Sequence, residues 1–376
     1  MGSKDVLVVG AGFAGAVYAR TLAEAGYLVT VIDRRDHVAG NAFDYTELDG
    51  TRVHRYGPHL FHTSSSEVLN WIMKFGRWGP YEHRVRALLP NNSYVPLPVN
   101  RTTIEAVFHV TLQNGKAVRA FLKRQAESVD IVRNAADYLH MTIGVVLTNL
   151  FFRQYTKKMW GTDLEELDPY VVKRIPIGYD DDDRYFPFEK YQMMPLDGYT
   201  KLFEEILSHE RIKLFLKTPF CHDMRKQFHY SFLSSSIDEY FDYCYGYLPY
   251  RSIKFCNIGA RRDKRVYWTQ TNFTDDRPQT RQTNWWLIPE HAGEAERTTI
   301  TTETPCDFRD NNFERYYPVL SSDAQSRRTY QKYRTLADRD SRIQFVGRCG
   351  LYRYLDMHQV IDQSLSGAKK WIEGEG

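Results

Sequence analysis

Three observations predict an α/β fold in which a Rossmann-like unit carries an inserted helical bundle and an antiparallel β-sheet. A strand, a glycine turn, a helix and a second strand follow one another directly over residues 6–32. An amphipathic helical stretch runs from Arg101 to Gly161, and short alternating segments flank it, from Val53 to Pro98 and from Lys254 to Val319. With 376 residues the chain is too long for one small core, which favours two or three subdomains around a shared ligand.

The first element is the apolar run Val6-Leu7-Val8-Val9, a strand buried on both faces. Gly10-Ala11-Gly12-Phe13-Ala14-Gly15 follows, then a helix-like stretch from Ala16 to Ala25 and a second strand, Leu28-Val29-Thr30-Val31-Ile32, that ends at Asp33. A glycine pattern alone is weak, but one with the strand before it, the helix after it and the acid roughly twenty residues on is the mark of a dinucleotide site. Gly10 allows the tight turn, Gly12 lets the backbone approach a pyrophosphate, and Gly15 permits close helix packing. The phosphates are expected at the helix N-terminus, where free N–H groups attract anions. Asp33 is expected to hold the adenosine ribose, and an acid there favours FAD or NAD over NADP. Gly40-Asn41, just beyond Arg34-Arg35-Asp36, falls where a flavin's pyrophosphate and ribityl chain lie, which moves the reading to FAD.

In the helical stretch, Ala106-Val107, Val118, Phe121-Leu122 and Ile143–Val146 recur at three- and four-residue spacing. The β segments include Arg84–Leu89 and Thr298–Thr302. The chain returns to α/β character with a strand at Ile343–Val346, a Gly347-Arg348 turn and a helix through Gln359 to Trp371.

Composition excludes several classes of function. Apolar residues are 42% and charged residues 26%, as in soluble globular proteins, and no continuous run approaches the roughly eighteen apolar residues of a membrane span. Residues 1–5 lead at once into a strand, so a cytoplasmic protein without a signal peptide is expected. The five cysteines, Cys221, Cys244, Cys256, Cys306 and Cys349, form no Cys-x-x-Cys pair and are expected as reduced thiols, mostly in the core. A net charge of +3 with dispersed basic residues does not suggest nucleic acid as a partner. The 26 tyrosines and 7 tryptophans point to a polar ligand held by rings and hydroxyls. Asp180–Asp183 lacks the spacing of an EF-hand and reads as a solvated loop flank, not a metal site.

Further blocks resemble the prokaryotic UDP-galactopyranose mutases and related flavin-dependent nucleotide-sugar mutases, nearly end to end. Tyr56-Gly57-Pro58-His59-Leu60-Phe61-His62-Thr63 is similar to that family's histidine loop beside the isoalloxazine, and Tyr155-Thr156-Lys157-Lys158-Met159-Trp160-Gly161 to its aromatic substrate segment. Arg174-Ile175-Pro176, Asp182–Phe186, Met194–Tyr199, Leu248–Ser252, Tyr316–Val319 and Gly347–Met357 match in the same order, the last resembling the flavin-closing motif.

The resemblance implies a discontinuous FAD-binding domain (1–75 with 195–245 and 335–376), a helical domain (100–170) with a mobile loop near 174, and a substrate sheet (76–99, 171–194 and 246–334). It implies FAD contacts at Gly10, Gly12, Phe13, Ala14, Gly15, Asp33, Arg34, Gly40, Asn41, His59, His62, Arg348, Tyr354, Asp356 and Met357. The implied substrate contacts are Phe151, Phe152, Tyr155, Trp160, Arg174, Tyr185, Arg251, Asn272, Arg281, Tyr316, Tyr317 and Tyr354. Phe151, Phe152 and Tyr155 look like a uracil platform, and Arg174 and Arg281 suit a diphosphate through bidentate guanidinium forks. With His62 as modulator of the flavin, these arginines form the implied catalytic set.

The implied reaction is contraction of a UDP-hexose from pyranose to furanose, foremost UDP-galactopyranose, by attack of reduced flavin N5 on the anomeric carbon without net redox change. NAD(P)H or another reductant, and a homodimer, are the implied partners. The chain leaves the family pattern at Ala39, where glycine is usual, and across Gln279–Trp286, so a UDP-N-acetylgalactosamine or dTDP-fucose substrate stays open. A flavin amine oxidase or desaturase, and a non-catalytic nucleotide-sugar binder, are the readings from other classes.

Overall fold

The computed structural model describes residues 5–173, 175–263, 265–293 and 296–375. A five-stranded, wholly parallel sheet runs in the order Ile212–Phe215, Leu28–Ile32, Asp5–Val9, Tyr230–Leu233, Ile343–Phe345. Val6 and Val8 on its central strand are fully buried, as expected of a strand covered on both faces. The first helix, Phe13–Glu24, packs against the last, Met357–Glu375, on one of those faces. It begins three residues earlier than the sequence pattern suggests, because Gly12 serves as its extended N-cap and the turn is that short. Only glycine fits at 15, since a Cβ there would lie 1.8 Å from the Gly10 carbonyl oxygen.

The second sheet has seven strands in the order Tyr317–Pro318, Tyr250–Arg261, Arg297–Asp307, Arg281–Asn284, Gln270–Phe273, Val85–Leu88, Tyr94–Leu97. It is antiparallel apart from one parallel pair, Gln270–Phe273 with Val85–Leu88, which a sequence pattern cannot reveal. A three-stranded sheet, in the order Phe61–Thr63, Tyr191–Pro195, Trp78–Pro80, lies between the two larger ones in chain connectivity.

Helices Arg101–Phe108, Gly115–Gln125, Ala135–Leu147 and Gln154–Trp160 form the bundle, with a π-helical turn over Thr148–Arg153. Asn100, Asn114 and Asn134 each precede a helix and accept a backbone N–H from its third residue, at 3.0, 3.1 and 2.9 Å. Ile104, Val118, Leu122, Leu139 and Ile143 fill the bundle core. The helical stretch Ala135–Trp160, kinked at Gly144 (φ 79°), is long and apolar enough by length and composition alone to cross a membrane; half of its apolar window is buried inside the protein, as in a core helix. Its apolar residues are periodic and not contiguous, so a search for a continuous run passes over it.

Two further expectations are corrected. Cys221, Cys244 and Cys256 are exposed and Cys306 and Cys349 partly buried, because the first two lie outside regular strands and the third sits on the outer half of a twelve-residue strand. The acidic run is not simply solvated: Asp181 pairs with Arg101, Asp182 with Arg184, and Asp183 with Arg84 and Arg86.

Asp44, 5% exposed, accepts the amides of Tyr199 and Thr200 at 2.8 Å each and so caps the distant helix Tyr199–Leu207. Asp44→Ala is expected to destabilise the protein by about 1–2 kcal/mol in urea unfolding, the cost of a lost N-cap; an unchanged midpoint would contradict that role.

Candidate functional site

A cavity of about 580 Å³ opens at the carboxyl edge of the parallel sheet, where the chain leaves each strand: Gly10, Asp33, Thr218, Ser234 and Gly347 all line it. This is where open α/β sheets take their ligands, and the volume suits an extended cofactor. Of the residues expected at the flavin, Gly10, Gly12, Phe13, Ala14, Asp33, Arg34, Gly40, Asn41, His59, Arg348 and Met357 line it. Gly15 sits behind it as packing.

The floor is an approach of backbones. A Cβ on Gly40, whose φ is +55°, would meet the Gly12 Cα at 2.9 Å, whereas one on Gly12 would meet Gly40 at an ordinary 3.6 Å. The protein itself therefore tolerates alanine at 12 but not at 40. Ala39 also lines the cavity and adopts φ 70°, a left-handed conformation in which the more usual glycine is unstrained. Asp33 accepts the Ala11 amide at 2.7 Å and the Arg35 amide at 2.9 Å, which anchors the carboxylate beside the turn. Arg34 pairs with Glu239 and Glu314 at 3.7 and 3.5 Å. The sequence reading missed Arg35, which donates to Asn41 at 2.9 Å, pairs with Glu314 and lies over the Tyr56 ring at 4.4 Å.

Beside this cavity, three strands place Asn272, Arg281 and Glu303 in direct register. Arg281 donates to Glu303 through Nε at 2.8 Å and its terminal nitrogen at 2.6 Å. Glu303 is fully buried, and among the described residues its other oxygen has no hydrogen-bond partner. Burial opposes the Arg281 charge, yet Glu303 and the phenol groups of Tyr155, Tyr185 and Tyr354 hold its pKa above the ordinary value. Those three tyrosines therefore lie within electrostatic reach of the guanidinium. Glu303 was not read from the sequence, although the period-two series Thr299, Thr301, Glu303 marks one buried strand face.

Trp160, Tyr317 and Tyr354 form a ring cluster, with centroids 4.9 Å apart for the first pair and 5.9 Å for the second. The Arg348 guanidinium lies 4.9 Å over Tyr354 and donates to the carbonyls of Tyr316 and Leu355, joining this cluster to the cavity. Lys158 ties it to the sheet by donating to the carbonyls of Phe273, Asp275 and Gln279, just before Arg281.

The other expected site residues have varied surroundings. Phe151 and Phe152, 4% and 5% exposed, sit on the π turn, buried in the same apolar cluster as Trp160, Tyr316 and Tyr317. Arg251 donates to the carbonyls of Lys158 and Met159, the unpaired end of a helix. Tyr316, expected at substrate, lines the cofactor cavity. His62 stacks on Phe186 at 3.7 Å and lies 3.3 Å from Glu189, outside the cavity lining, as do Asp356 and Tyr354. Arg174 itself lies outside the described residues; before it Tyr170–Lys173 form a short helix, and after it the Ile175 amide donates to the Val172 carbonyl and the Gly178 amide to that of Val99.

A parallel sheet with this glycine floor, an acid after its second strand and a cavity at its carboxyl edge defines a dinucleotide-binding α/β protein. Residues 8–75 match the profile of the NAD(P)-binding Rossmann-like domain, and residues 150–354 that of UDP-galactopyranose mutase. The chain is 35% identical over 375 residues to a probable UDP-galactopyranose mutase of Klebsiella pneumoniae, covering 99% of this chain and 96% of the relative. It is 34% identical to a dTDP-fucopyranose mutase of Escherichia coli, covering 98% and 99%. In fold it resembles a reduced UDP-galactopyranose mutase (TM-score 0.77, 15% identity, 99% of this chain and 94% of that one) and a putative protoporphyrinogen oxidase from Exiguobacterium (0.70, 13%, all of both chains). The chain belongs to the UDP-galactopyranose mutase family.

Two outcomes follow. Gly12→Ala is expected to unfold at the wild-type urea midpoint yet retain little flavin after gel filtration, because only a ligand excludes its methyl; full flavin content would contradict the pyrophosphate placement. Burial lowers the pKa of His59 and His291 to about 4 and of His83 to about 3. The unfolded chain therefore binds more protons below the ordinary value of 6.5, and stability present above it is lost as pH falls toward 4. Each histidine contributes up to about 1.4 kcal/mol per pH unit. Urea midpoints at pH 7, 6 and 5 measure this, and a flat profile would contradict it.

Proposed function

We propose that this chain interconverts the pyranose and furanose forms of a UDP-linked hexose, UDP-galactopyranose foremost, with FAD in its reduced form and no net redox change. The observation that carries the reading is Arg281: a cation on a buried carboxylate, within electrostatic reach of three tyrosines, in a chain of this family. When bound, the flavin supplies a nucleophilic nitrogen. The chain's own groups do the rest. Arg281 and the hydroxyls of Tyr155, Tyr185 and Tyr354 stabilise the departing diphosphate, Trp160 walls the pocket, and the packed rings exclude water. Arg174 is proposed as the second diphosphate arginine. The three-domain division given above, a cytoplasmic homodimer and NAD(P)H or another reductant complete the proposal.

The dTDP-fucopyranose mutase relative, nearly as similar as the Klebsiella one, favours a second reading in which the same chemistry acts on dTDP-fucose. Dithionite-reduced protein incubated with UDP- and dTDP-sugars and resolved by anion exchange tests both. The expected result is one isomeric product, absent with oxidised protein; no conversion despite bound FAD would shift the reading to an oxidase. Arg281→Lys retains the ion pair with Glu303 and loses the planar fork. It should keep the yellow flavin and lose on the order of a hundred-fold in kcat/KM; unaltered turnover would remove Arg281 from the site.

A further inference from the structure

Behind the cavity two buried histidines form a proton-ordered line. The His59 amide donates to His54 Nδ1 at 3.0 Å, so that nitrogen carries no proton. The His54 proton is then on Nε2, which lies 3.0 Å from His291 Nε2 and donates to it. His291 must carry its own proton on Nδ1, 2.7 Å from the Pro289 carbonyl oxygen. All four ring nitrogens are engaged and each tautomer dictates the next. Burial holds both rings neutral.

The line ends at the cavity. His59 donates from Nδ1 to the Gly57 carbonyl at 2.8 Å and lines the cavity, so the loop that His54 grips is the loop that faces the cofactor. Trp285 packs against both rings of the pair, at centroid distances of 4.9 Å from His54 and 6.1 Å from His291. That tryptophan belongs to the segment in which the sequence departs from the family pattern.

We propose that His291 is a positioning residue: by accepting the His54 Nε2 proton it selects the tautomer that receives the His59 amide, and so sets the His59 loop against the flavin. With the other tautomer, His54 Nδ1–H would face the His59 N–H, two donors would oppose each other, and the loop would move. Asp44 contributes a carboxylate oxygen within 4.8 Å of this pair, a donor set that resembles a metal site. Its two oxygens already accept the Tyr199 and Thr200 amides, and the ring nitrogens are engaged, so the cluster is a hydrogen-bonded network.

The proposal rests on the cavity being the flavin site, and its test separates the two. In holoenzyme, His291→Gln keeps an acceptor for His54 and should preserve the visible flavin spectrum and the kcat with UDP-galactopyranose to within about two-fold. His291→Phe removes the acceptor and should shift the spectrum and lower kcat on the order of ten-fold or more at unchanged KM. A lower melting temperature for His291→Phe with wild-type spectrum and kcat, or equal losses in both variants, would overturn the proposal. Nitrogen-15 NMR of labelled histidine rings reads the tautomers directly: His54 is expected as Nε2–H and His291 as Nδ1–H, and a His54 Nδ1–H form overturns it whatever the flavin does. If the wild type holds no flavin, the cavity reading falls, and the NMR result still decides the tautomers.

Discussion

Everything at the cavity depends on how closely three backbone segments meet at the carboxyl edge of the parallel sheet. The Gly10–Gly15 turn, the Ala39–Asn41 turn and the strand end at Ser234 converge so tightly that a Cβ on Gly10 would lie 2.0 Å from the Ser234 hydroxyl. The Asp33–Ala11 hydrogen bond locks the arrangement. Side chains at those positions would fill the space a pyrophosphate needs, and the helix N-terminus beyond it supplies the matching dipole. Ala39 marks where the constraint is least comfortable, a methyl-bearing residue in a glycine conformation.

Around that floor the polar groups are arranged to be rigid before any ligand arrives. Arg35 bridges Asn41, Glu314 and the Tyr56 ring; Arg348 fastens two carbonyls while stacking over Tyr354; Lys158 grips three carbonyls ahead of Arg281. Such preorganisation is what electrostatic stabilisation of a departing diphosphate requires, since dipoles fixed in advance need not reorganise during the reaction. Arg281 is the extreme case, a partly exposed cation held by a fully buried carboxylate.

The sequence made the nucleotide-binding unit legible because its signals are local: an apolar run, glycines at fixed spacing and an acid at the next strand end. The bundle was legible from its period. What it did not show arises from pairings distant in the chain. Nothing near Asp44 announces a helix cap at Tyr199, and nothing near Arg251 announces the carbonyls of Lys158 and Met159. Phe151 and Phe152 look alike to a reader seeking a base platform or a core, and the π turn buries both in the cluster that holds Trp160 and Tyr317. Glu303 was within reach, since alternation along its strand marks the buried face.

The central claim is that one continuous site holds the flavin over Gly12 and Gly40 and the nucleotide diphosphate at Arg281. A crystal structure of the reduced holoprotein with UDP tests it most directly. The account predicts FAD pyrophosphate against the glycine turn and the UDP diphosphate within hydrogen-bonding distance of the Arg281 guanidinium. A diphosphate bound away from Arg281, or a flavin outside the cavity, would contradict it.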